Sequence, residues 1–260
     1  YYVHDHVSAA KKAAFVHVDY VQAGYTRRLD KDCYVDFDRI FAVSDETAGV
    51  LAGVYPECQQ KLSVFHNLID TEAIRQKALL PAEKSMHEGI RLLTVGRLTP
   101  QKGFDCAVYA LKLLLEKQYP VYWYIIGEGP EYGRLTQLAR SLHVEDHFIF
   151  LGMQTNPYPY FKMADFYIHA TRFEGKSIAI QEAQVLGCAI AASDCSGNRE
   201  QIVSGVDGLL CPFSPEGIAN AVEYLIEHPQ TAQSFGRAAT QKACHFENDI
   251  HMIRDLLYSP

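Results

Sequence analysis

The sequence has no long hydrophobic run and no excess of positive charge. No apolar stretch approaches the ~18 residues of a membrane-spanning helix, so the sequence predicts no membrane span. No segment has the pattern of a signal peptide. The formal net charge of −7 argues against a nucleic-acid partner, because phosphate backbones attract basic proteins.

Cysteines and clustered metal ligands are also scarce. The seven cysteines are odd in number and form no repeated Cys-x-x-Cys spacing, which argues against a disulfide framework. We therefore expect reduced thiols and a cytoplasmic protein. Asp36 and Asp38 read as the entry to a strand, and His4-Asp5-His6 has no further ligand cluster at useful spacing. The sequence thus predicts no metal site.

The remaining composition is that of a soluble globular protein, with 48% apolar and 21% charged residues among 260. This length suits one large domain or two modest ones. The chain begins at Tyr1 in what reads as the middle of a domain, so we expect a fragment of a longer protein.

Short apolar runs alternate with helical patterns from Gly89 onward, which predicts a parallel sheet with helices on both faces. The expected strands are 90–95, 121–126, 148–151, 166–170, 189–192 and 208–211, and the expected helices are 104–117, 131–142, 177–186 and 215–226. Loops after Val95, Ile126 and Ala170 should then open on one edge, where such sheets bind ligands.

The first third of the chain predicts part of a second Rossmann-like unit. Its expected strands are 13–18, 39–43 and 61–65, its expected helix is 45–53, and a polar stretch, 73–88, reads as a linker. We therefore predict a partial amino-terminal domain over 1–80 and a larger domain over 81–240. The tail from 231 to 258 has an amphipathic helical pattern, and 241–260 is expected to be a helix that packs back on the first domain.

Two glutamates eight positions apart are the most informative motif. Glu174 follows a predicted strand, and Glu182 lies on an otherwise apolar helix, where a charged residue is rarely buried without a partner. Between them, Ser177 is a candidate N-cap, and the amides of Lys176, Ser177 and Ile178 could hold an anion. This combination suits a phosphorylated sugar. The alternative is a solvated loop glutamate plus a helix glutamate paired with a nearby base.

Two other loops follow strands of the larger domain. Arg97 and Lys102 lie five residues apart beside a helix N-terminus, where they could neutralise a diphosphate or simply be surface bases. Gly127 and Gly129 imitate a dinucleotide-binding fingerprint, but the third glycine comes one residue late. These two glycines could instead allow close approach of a ligand or of another domain.

With these motifs placed, the chain resembles retaining glycosyltransferases of the GT-B fold, family 4 (glycosyl transferases group 1), which include bacterial capsular and exopolysaccharide enzymes. The resemblance covers nearly the whole chain. In the larger domain it rests on 95–98 with 102–103, 126–130, 150–152, the Glu174 and Glu182 pair, and Glu200 ahead of 205–210; in the first domain it rests on 14–19, 41–44 and 65–70.

The resemblance implies transfer of a sugar from a nucleotide-sugar donor, most simply a UDP-sugar, without a metal or other cofactor. Arg97 and Lys102 would hold the diphosphate, and Glu182 the ribose. Glu174 would bind sugar hydroxyls, and His17 would face the transferring sugar across an interdomain cleft; these two are the expected catalytic residues. The amides of 176–178 and the loop of Gly127 and Gly129 would complete the donor site.

The same resemblance implies a sugar or lipid-linked acceptor, polysaccharide or glycolipid synthesis, and an option of peripheral association with the inner face of a membrane. Lys176 and Ser177 depart from the small or apolar residues usual after the Glu-Gly pair of the family. Three alternatives stay open: a nucleotide-sugar epimerase, a non-catalytic nucleotide-sugar-binding module and an NAD dehydrogenase. The absent start leaves the activity of the fragment open.

Overall fold

The computed structural model describes residues 2–243 and 249–258. It is an α/β protein with two parallel sheets, which confirms the predicted class. The described chain divides into two compact units. The first contains residues up to Leu68, the segment Phe173–Ser177 and residues 249–258; the second contains residues 69–172 and 178–243.

Strands and helices alternate along most of the described chain. The strands are β1 (Ala13–Val16), β2 (Arg39–Ala42), β3 (Leu62–Val64), β4 (Ile90–Val95), β5 (Val121–Ile126), β6 (Phe148–Gly152), β7 (Phe166–His169), β8 (Ala189–Ser193) and β9 (Leu209–Cys211). The α-helices are α1 (Tyr2–His6), α2 (Arg27–Asp30), α3 (Asp45–Val54), α4 (Thr71–Lys77), α5 (Phe104–Glu116), α6 (Tyr132–Ser141), α7 (Tyr158–Met163), α8 (Ile178–Val185), α9 (Ser196–Gln201), α10 (Pro215–Glu227), α11 (Pro229–Ala243) and α12 (Ile250–Tyr258). Short 3-10 helices cover Cys33–Asp36, Pro56–Lys61 and Pro100–Lys102.

The first unit is built on a small parallel sheet in the order β1-β2-β3. The helix that follows β2 begins at a serine N-cap, because the Ser44 hydroxyl accepts a hydrogen bond from the Thr47 amide at 3.1 Å. Its Leu51 packs in one buried cluster with Ile40 of β2 and Val16 of β1. The carboxyl ends of the three strands therefore lie on one edge of this sheet.

The second unit contains a six-stranded sheet in the order β6-β5-β4-β7-β8-β9. Each pair of neighbouring strands in it runs parallel. The loops after Val95, Ile126 and Ala170 consequently start from the same edge, as predicted. Because the strands are parallel, their carboxyl ends lie on one edge of the sheet, and the loops that follow them can meet there.

Both faces of the larger sheet are covered by helices. Leu92 and Trp123 point into one buried cluster with residues of α5 and α10, and their neighbours Leu93 and Tyr124 point into another with residues of α7 and α8. Because alternate residues of a strand face opposite sides, a sheet buried on both faces needs continuous apolar strands. This is why the apolar runs predicted these strands so closely.

The stretch expected to be a linker is partly a helix. Asp70 caps α4 by accepting a hydrogen bond from the Ala73 amide at 2.9 Å. Ile74 on this helix is buried with Val185 and Ala243. Residues 69–80 are therefore grouped with the second unit, whereas the sequence placed them in the first. One buried residue among polar ones is too weak a pattern to predict a helix.

The expected helical tail corresponds to α11 and α12, and residues 244–248 of that expectation lie outside the described residues. Just before α12, the Asp249 carboxylate accepts hydrogen bonds from the backbone amide and the ring Nδ1 of His66, at 2.7 and 2.8 Å. Contacts of this kind group the last helix with the first unit. None of the helices in the described parts of the chain combines the length and the hydropathy that a membrane span requires.

Candidate functional site

Arg97 and Lys102 stand on one loop at the carboxyl end of β4. The loop leaves the sheet at Gly96, whose amide donates to the Ile126 carbonyl at 2.9 Å. The Lys102 side chain lies over Gly96, because a Cβ built on that glycine would sit 3.7 Å from Lys102 Cδ. Arg97 is exposed, and its guanidinium forms no salt bridge with the residues that the structure describes. The Arg97 guanidinium can therefore reach an anion at this edge, and Lys102 lies half-buried on the same loop.

The glycines of the next loop have a packing role. Gly127 has a φ of +141°, and a Cβ there would lie 2.0 Å from the Gly96 carbonyl oxygen. A Cβ on Gly129 would lie 2.4 Å from the Leu98 carbonyl oxygen, and the Leu98 amide donates to the Glu128 carbonyl at 2.9 Å. These glycines let the loop after β5 pack against the loop of Arg97. Their contact with a donor stays a prediction.

A cavity of about 500 Å³ opens where β5 and β6 end. The Tyr132 and Phe150 rings meet edge-to-face in its wall, with centroids 5.1 Å apart. Its lining is Gly127, Glu128, Gly129, Tyr132, Phe150, Leu151 and Gly152. Concave sites with glycine backbone and a few apolar side chains suit small ligands. The cavity thus extends the candidate site along the sheet edge from the two cations.

Arg172 fixes the turn after β7 to the same edge. Its guanidinium donates two hydrogen bonds to the Asp105 carboxylate, at 3.0 and 2.8 Å, and lies over the Phe213 ring at 4.9 Å. Although burial favours the neutral acid, Arg172 holds the pKa of Asp105 below its usual range. The Arg172 amide also donates to the Gln101 carbonyl at 2.8 Å. The turn after β7 is therefore held against the loop of Gln101 within the second unit.

A buried polar network lies beneath this edge. The Thr94 hydroxyl donates to the Ile168 carbonyl at 2.7 Å and accepts from the Trp123 indole N–H at 2.9 Å. On the other side of β7, the Ser193 hydroxyl accepts from the Thr171 amide at 3.0 Å. Sequence reasoning missed Arg172 and this network. The available signal was a hydroxyl residue in or directly after two of the apolar runs, Thr94 in β4 and Ser193 at the end of β8.

The structure brings the backbone of His17 and the segment after Glu174 together in the first unit. A Cβ on Gly175 would lie 2.4 Å from the His17 carbonyl oxygen and 3.2 Å from Val18 Cα, so only glycine fits there. The Asn67 side-chain amide donates to the Lys176 carbonyl at 3.2 Å. Glu174 is buried, whereas the His17 ring is exposed at the end of β1. The two expected catalytic residues thus belong to adjoining segments.

Glu182 lies half-buried on α8 in the second unit. The Tyr158 hydroxyl donates a hydrogen bond to Glu182 Oε1 at 3.0 Å. Burial raises the pKa of Glu182, and burial together with the nearby carboxylate raises the pKa of Tyr158 to about 12. The partner of the Glu182 carboxylate is therefore the Tyr158 hydroxyl. The alternative from the sequence, in which Glu182 is paired with a nearby basic residue, required a different partner.

The helix of Glu182 begins at Ile178, immediately after Ser177. The Ile178 side chain is exposed, Ser177 is buried, and Lys176 is half-buried. The helix contains eight residues, and its first turn carries no acidic side chain. Its amide end is therefore compatible with an anion, while the capping role of Ser177 stays a prediction.

The residues that imitated metal ligands have partners of another kind. The His4 ring bridges Asp36 and Asp5, with contacts of 2.6 and 2.5 Å that raise the pKa of His4. The Asp38 carboxylate accepts from the Lys12 amide at 2.6 Å, at the entry to β2. Within the described parts of the chain, no three potential ligands cluster as a metal site would require.

Comparison with known proteins shows which family the chain is similar to. The family model described as Glycosyl transferases group 1 matches residues 75–242. A N-acetylgalactosamine-N,N'-diacetylbacillosaminyl-diphospho-undecaprenol 4-alpha-N-acetylgalactosaminyltransferase from Campylobacter jejuni is 30% identical over 200 residues, covering 76% of this chain and 53% of the relative. An uncharacterized glycosyltransferase from Methanocaldococcus jannaschii is 25% identical over 180 residues, covering 67% and 42%.

Solved structures share the fold at low identity. Anabaena Alr3699/HepE, crystallised in complex with UDP and glucose, superposes with a TM-score of 0.82 at 19% identity, covering 96% of this chain and 72% of that chain. This similarity confirms the predicted GT-B fold. The chain spans about half the length of the two sequence relatives.

Proposed function

The chain belongs to the glycosyl transferases group 1 family, and from that premise we propose that it takes part in transferring a sugar from a nucleotide-sugar donor to an acceptor. The further proposals are membership of family 4, retention of the anomeric configuration and catalysis without a metal. The donor is a UDP-sugar, a choice supported by the UDP and glucose found in the similarly folded Anabaena protein.

One observation carries the proposal: an exposed arginine and a lysine share the loop at the carboxyl end of β4. When a glycosidic bond to a nucleoside diphosphate breaks, negative charge accumulates on the diphosphate. Arg97 would bind two phosphate oxygens at once, and Lys102 would add a second positive charge. Such fixed charges stabilise the leaving group in the transition state.

The two glutamates are proposed to bind the uncharged parts of the nucleotide-sugar donor. Glu182 is proposed to accept hydrogen bonds from ribose hydroxyls, and the half-buried setting of its side chain supports that role. Glu174 is proposed to bind hydroxyls of the transferred sugar. His17 is proposed to contact that sugar as a catalytic residue, and the close packing of Gly175 on its backbone supports the pairing.

The acceptor is proposed to be a sugar or a lipid-linked sugar in polysaccharide or glycolipid synthesis. The name of the Campylobacter relative describes a diphospho-undecaprenol-linked acceptor, which supports the lipid-linked option. An acceptor on a lipid carrier would present its sugar at a bilayer surface, where the enzyme would have to reach it.

The test compares UDP with uridine by calorimetry, because only UDP carries the diphosphate. We expect UDP to bind more tightly, and the difference to shrink as salt rises. Arg97→Ala should weaken UDP by about 1.5–3 kcal/mol, the range for hydrogen bonds to charged groups, and leave uridine nearly unchanged. Arg140→Ala, an exposed arginine at the end of α6, is the matched control. Equal affinity for UDP and uridine in the unmutated chain would overturn the donor site.

A further inference from the structure

The short 3-10 helix that carries Lys102 is held from outside by the turn that follows β7. The Thr171 hydroxyl and the Arg172 amide both donate to the Gln101 carbonyl, at 3.1 and 2.8 Å. The Arg172 guanidinium donates to the neighbouring Pro100 carbonyl at 2.5 Å. Two consecutive residues of one turn therefore hold the two consecutive carbonyls that directly precede Lys102.

The backbone directly after Lys102 is held by the same turn. Gly103 has a φ of +63°, and a Cβ built on it would lie 2.2 Å from the Ala170 carbonyl oxygen and 2.6 Å from Phe213 Cε2. Any other residue there would push the loop away from the turn after β7. The Arg172 guanidinium lies over the same Phe213 ring, 4.9 Å from its centroid. The chain is thus held on both sides of Lys102.

An ion pair completes the contact between the loop and the turn. Asp105, in the first turn of α5, accepts from the Arg172 guanidinium at 3.0 and 2.8 Å through both carboxylate oxygens. We name Arg172 with its two acceptors, the Pro100 carbonyl and the Asp105 carboxylate, the arginine clasp. The planar fork of a guanidinium can bind a carboxylate and a carbonyl together, whereas the ammonium group of a lysine does not reproduce that arrangement.

The turn that carries the arginine clasp is itself anchored in the sheet. The Thr171 amide donates to the Ser193 hydroxyl at 3.0 Å, and that hydroxyl donates to the Thr171 carbonyl at 2.5 Å. The Asn198 side-chain amide donates to the Ser193 carbonyl at 2.8 Å. Thr171, Ser193 and Asn198 are all buried. The arginine clasp therefore ties the loop of Lys102 to the buried end of β8.

The arginine clasp suits the orientation of a cation better than the binding of a phosphate. The Arg172 guanidinium is already paired with Asp105, and a phosphate bound there would meet that carboxylate. Lys102 carries its charge on a long flexible side chain, so a ligand that binds it has to immobilise both the side chain and its loop. A loop that is already held lowers the second of these costs.

We propose that Arg172 is a positioning residue of the diphosphate site, which acts by holding the loop from which Lys102 meets the donor. The ligand in this inference rests on the proposed function, whereas the arginine clasp itself consists of contacts within the second unit. Arg172 is exposed and Asp105 is half-buried, and ion pairs between such side chains add little to overall stability. Loss of the arginine clasp should therefore alter ligand affinity and loop dynamics more than the free energy of unfolding.

The first test measures the binding of UDP and of uridine by calorimetry. Arg172→Gln removes the guanidinium and keeps the backbone hydrogen bond to Gln101, and we expect UDP affinity to fall about 5- to 10-fold with uridine affinity unchanged. Lys102→Ala should lower UDP affinity about 10- to 100-fold. In the Lys102→Ala chain, adding Arg172→Gln should change UDP affinity by less than about twofold, because no cation is left to position. Losses that multiply in the double variant would overturn the proposal.

Two further variants separate positioning from a simple effect of charge. If only charge mattered, Arg172→Lys would bind UDP like the unmutated chain, and Asp105→Asn would tighten UDP binding by removing a carboxylate near the diphosphate. The arginine clasp predicts the reverse. Arg172→Lys should bind UDP as weakly as Arg172→Gln, and Asp105→Asn should weaken UDP binding at raised salt, where long-range charge effects are screened. Full affinity in Arg172→Lys, or tighter binding by Asp105→Asn at raised salt, would overturn the proposal.

Arg91→Gln is the matched control for loss of an ion-paired arginine. Arg91 donates to both carboxylate oxygens of Asp165, at 3.0 and 3.1 Å, near the amino end of β4 in the same unit. Arg91→Gln should leave UDP affinity unchanged, and a loss equal to that of Arg172→Gln would overturn the proposal. Melting curves identify a variant that fails to fold. If Arg172→Gln does not fold, Asp105→Asn breaks the same clasp and decides the test.

Hydrogen exchange of the ligand-free chain separates this proposal from the proposed donor site. The Lys102 amide donates to the Thr99 carbonyl at 3.0 Å, so its exchange reports on the order of the loop. It should exchange about 3- to 10-fold faster in Arg172→Gln and at the parent rate in Arg91→Gln. Unchanged exchange in Arg172→Gln would overturn the role of the arginine clasp. Equal affinity for UDP and uridine in the unmutated chain would instead overturn the donor site, while faster exchange would still support the hold of the arginine clasp on its loop.

Discussion

Replacing Glu182 with glutamine should weaken nucleotide binding without weakening the fold. Glutamine keeps the volume of the side chain and an oxygen that can accept the hydrogen bond of Tyr158, now 3.0 Å from Glu182 Oε1. It removes the negative charge that would face ribose hydroxyls. We expect UDP affinity to fall by about 1–3 kcal/mol, or about 5- to 150-fold.

The stability of the ligand-free protein should move in the opposite direction. Burial raises the pKa of Glu182, so the folded chain holds the proton of the Glu182 carboxyl group more tightly than the unfolded chain does. The resulting stability is fully present below about pH 4.3, the ordinary glutamate value, and is lost as pH rises through the raised value. At neutral pH the ionised carboxylate therefore costs stability. Glu182→Gln should leave the free energy of unfolding equal or slightly higher there.

The assays are calorimetric titration with UDP and urea denaturation of the ligand-free protein at neutral and acidic pH. The stability advantage of Glu182→Gln should shrink in acid, where the parent carboxyl is protonated as well. Tyr158→Phe is the companion variant, because it removes the hydroxyl donor and keeps the carboxylate. Unchanged UDP affinity combined with a large loss of stability would refute the ligand role and make Glu182 a purely structural residue.

Two further predictions concern the sheet edge. Gly127→Ala should destabilise the fold by about 2–4 kcal/mol in a urea titration, because the new Cβ would overlap the Gly96 carbonyl oxygen at a φ that alanine rarely adopts. Gly133→Ala is the control, because Gly133 lies in α6 at an ordinary φ with open space around it. This change should instead stabilise the fold by about 0.4–1 kcal/mol in the same titration. Thr94→Val should cost about 1–3 kcal/mol, seen as a lower urea midpoint at unchanged slope, because the buried Trp123 indole N–H loses its acceptor. A neutral result in either case would mean that the loop or the network relaxes freely.

The larger sheet could be predicted closely because its strands are buried on both faces. Such strands read as continuous apolar runs, and turn residues mark their ends, as at Gly89 before β4 and at Gly127 after β5. The expected bounds 90–95 and 121–126 coincide with the observed strands. The helices α4 and α7 were missed, since one has a single buried residue and the other contains Pro159. Their stability comes from tertiary contacts that periodicity does not encode.

The candidate site was only partly predictable, because spacing places residues on loops but does not give their neighbours. Approach of a ligand to Gly127 and Gly129 stays a prediction, whereas their close contacts with backbone atoms of Gly96 and Leu98 could not be predicted from the sequence. Tyr158, which donates to Glu182, lies 24 positions away in the chain. The burial of Asp19, which is only 5% exposed, could not be predicted either, since nothing in its immediate sequence distinguishes a buried carboxylate from a solvated one.

Three arginines at the carboxyl edge of the larger sheet look alike in sequence, yet the structure separates them by what they already bind. Arg172 is held by both oxygens of Asp105, and Arg134 is paired with Glu131. Either would have to give up an ion pair before taking a phosphate, and the freed carboxylate would then repel that phosphate. Arg97 has no such pair within the described chain, so an anion that binds there displaces only water. The sequence left Arg97 open as a diphosphate ligand or a surface base, and the ion pairs of Arg172 and Arg134 support the proposal that Arg97 is the one that binds the diphosphate.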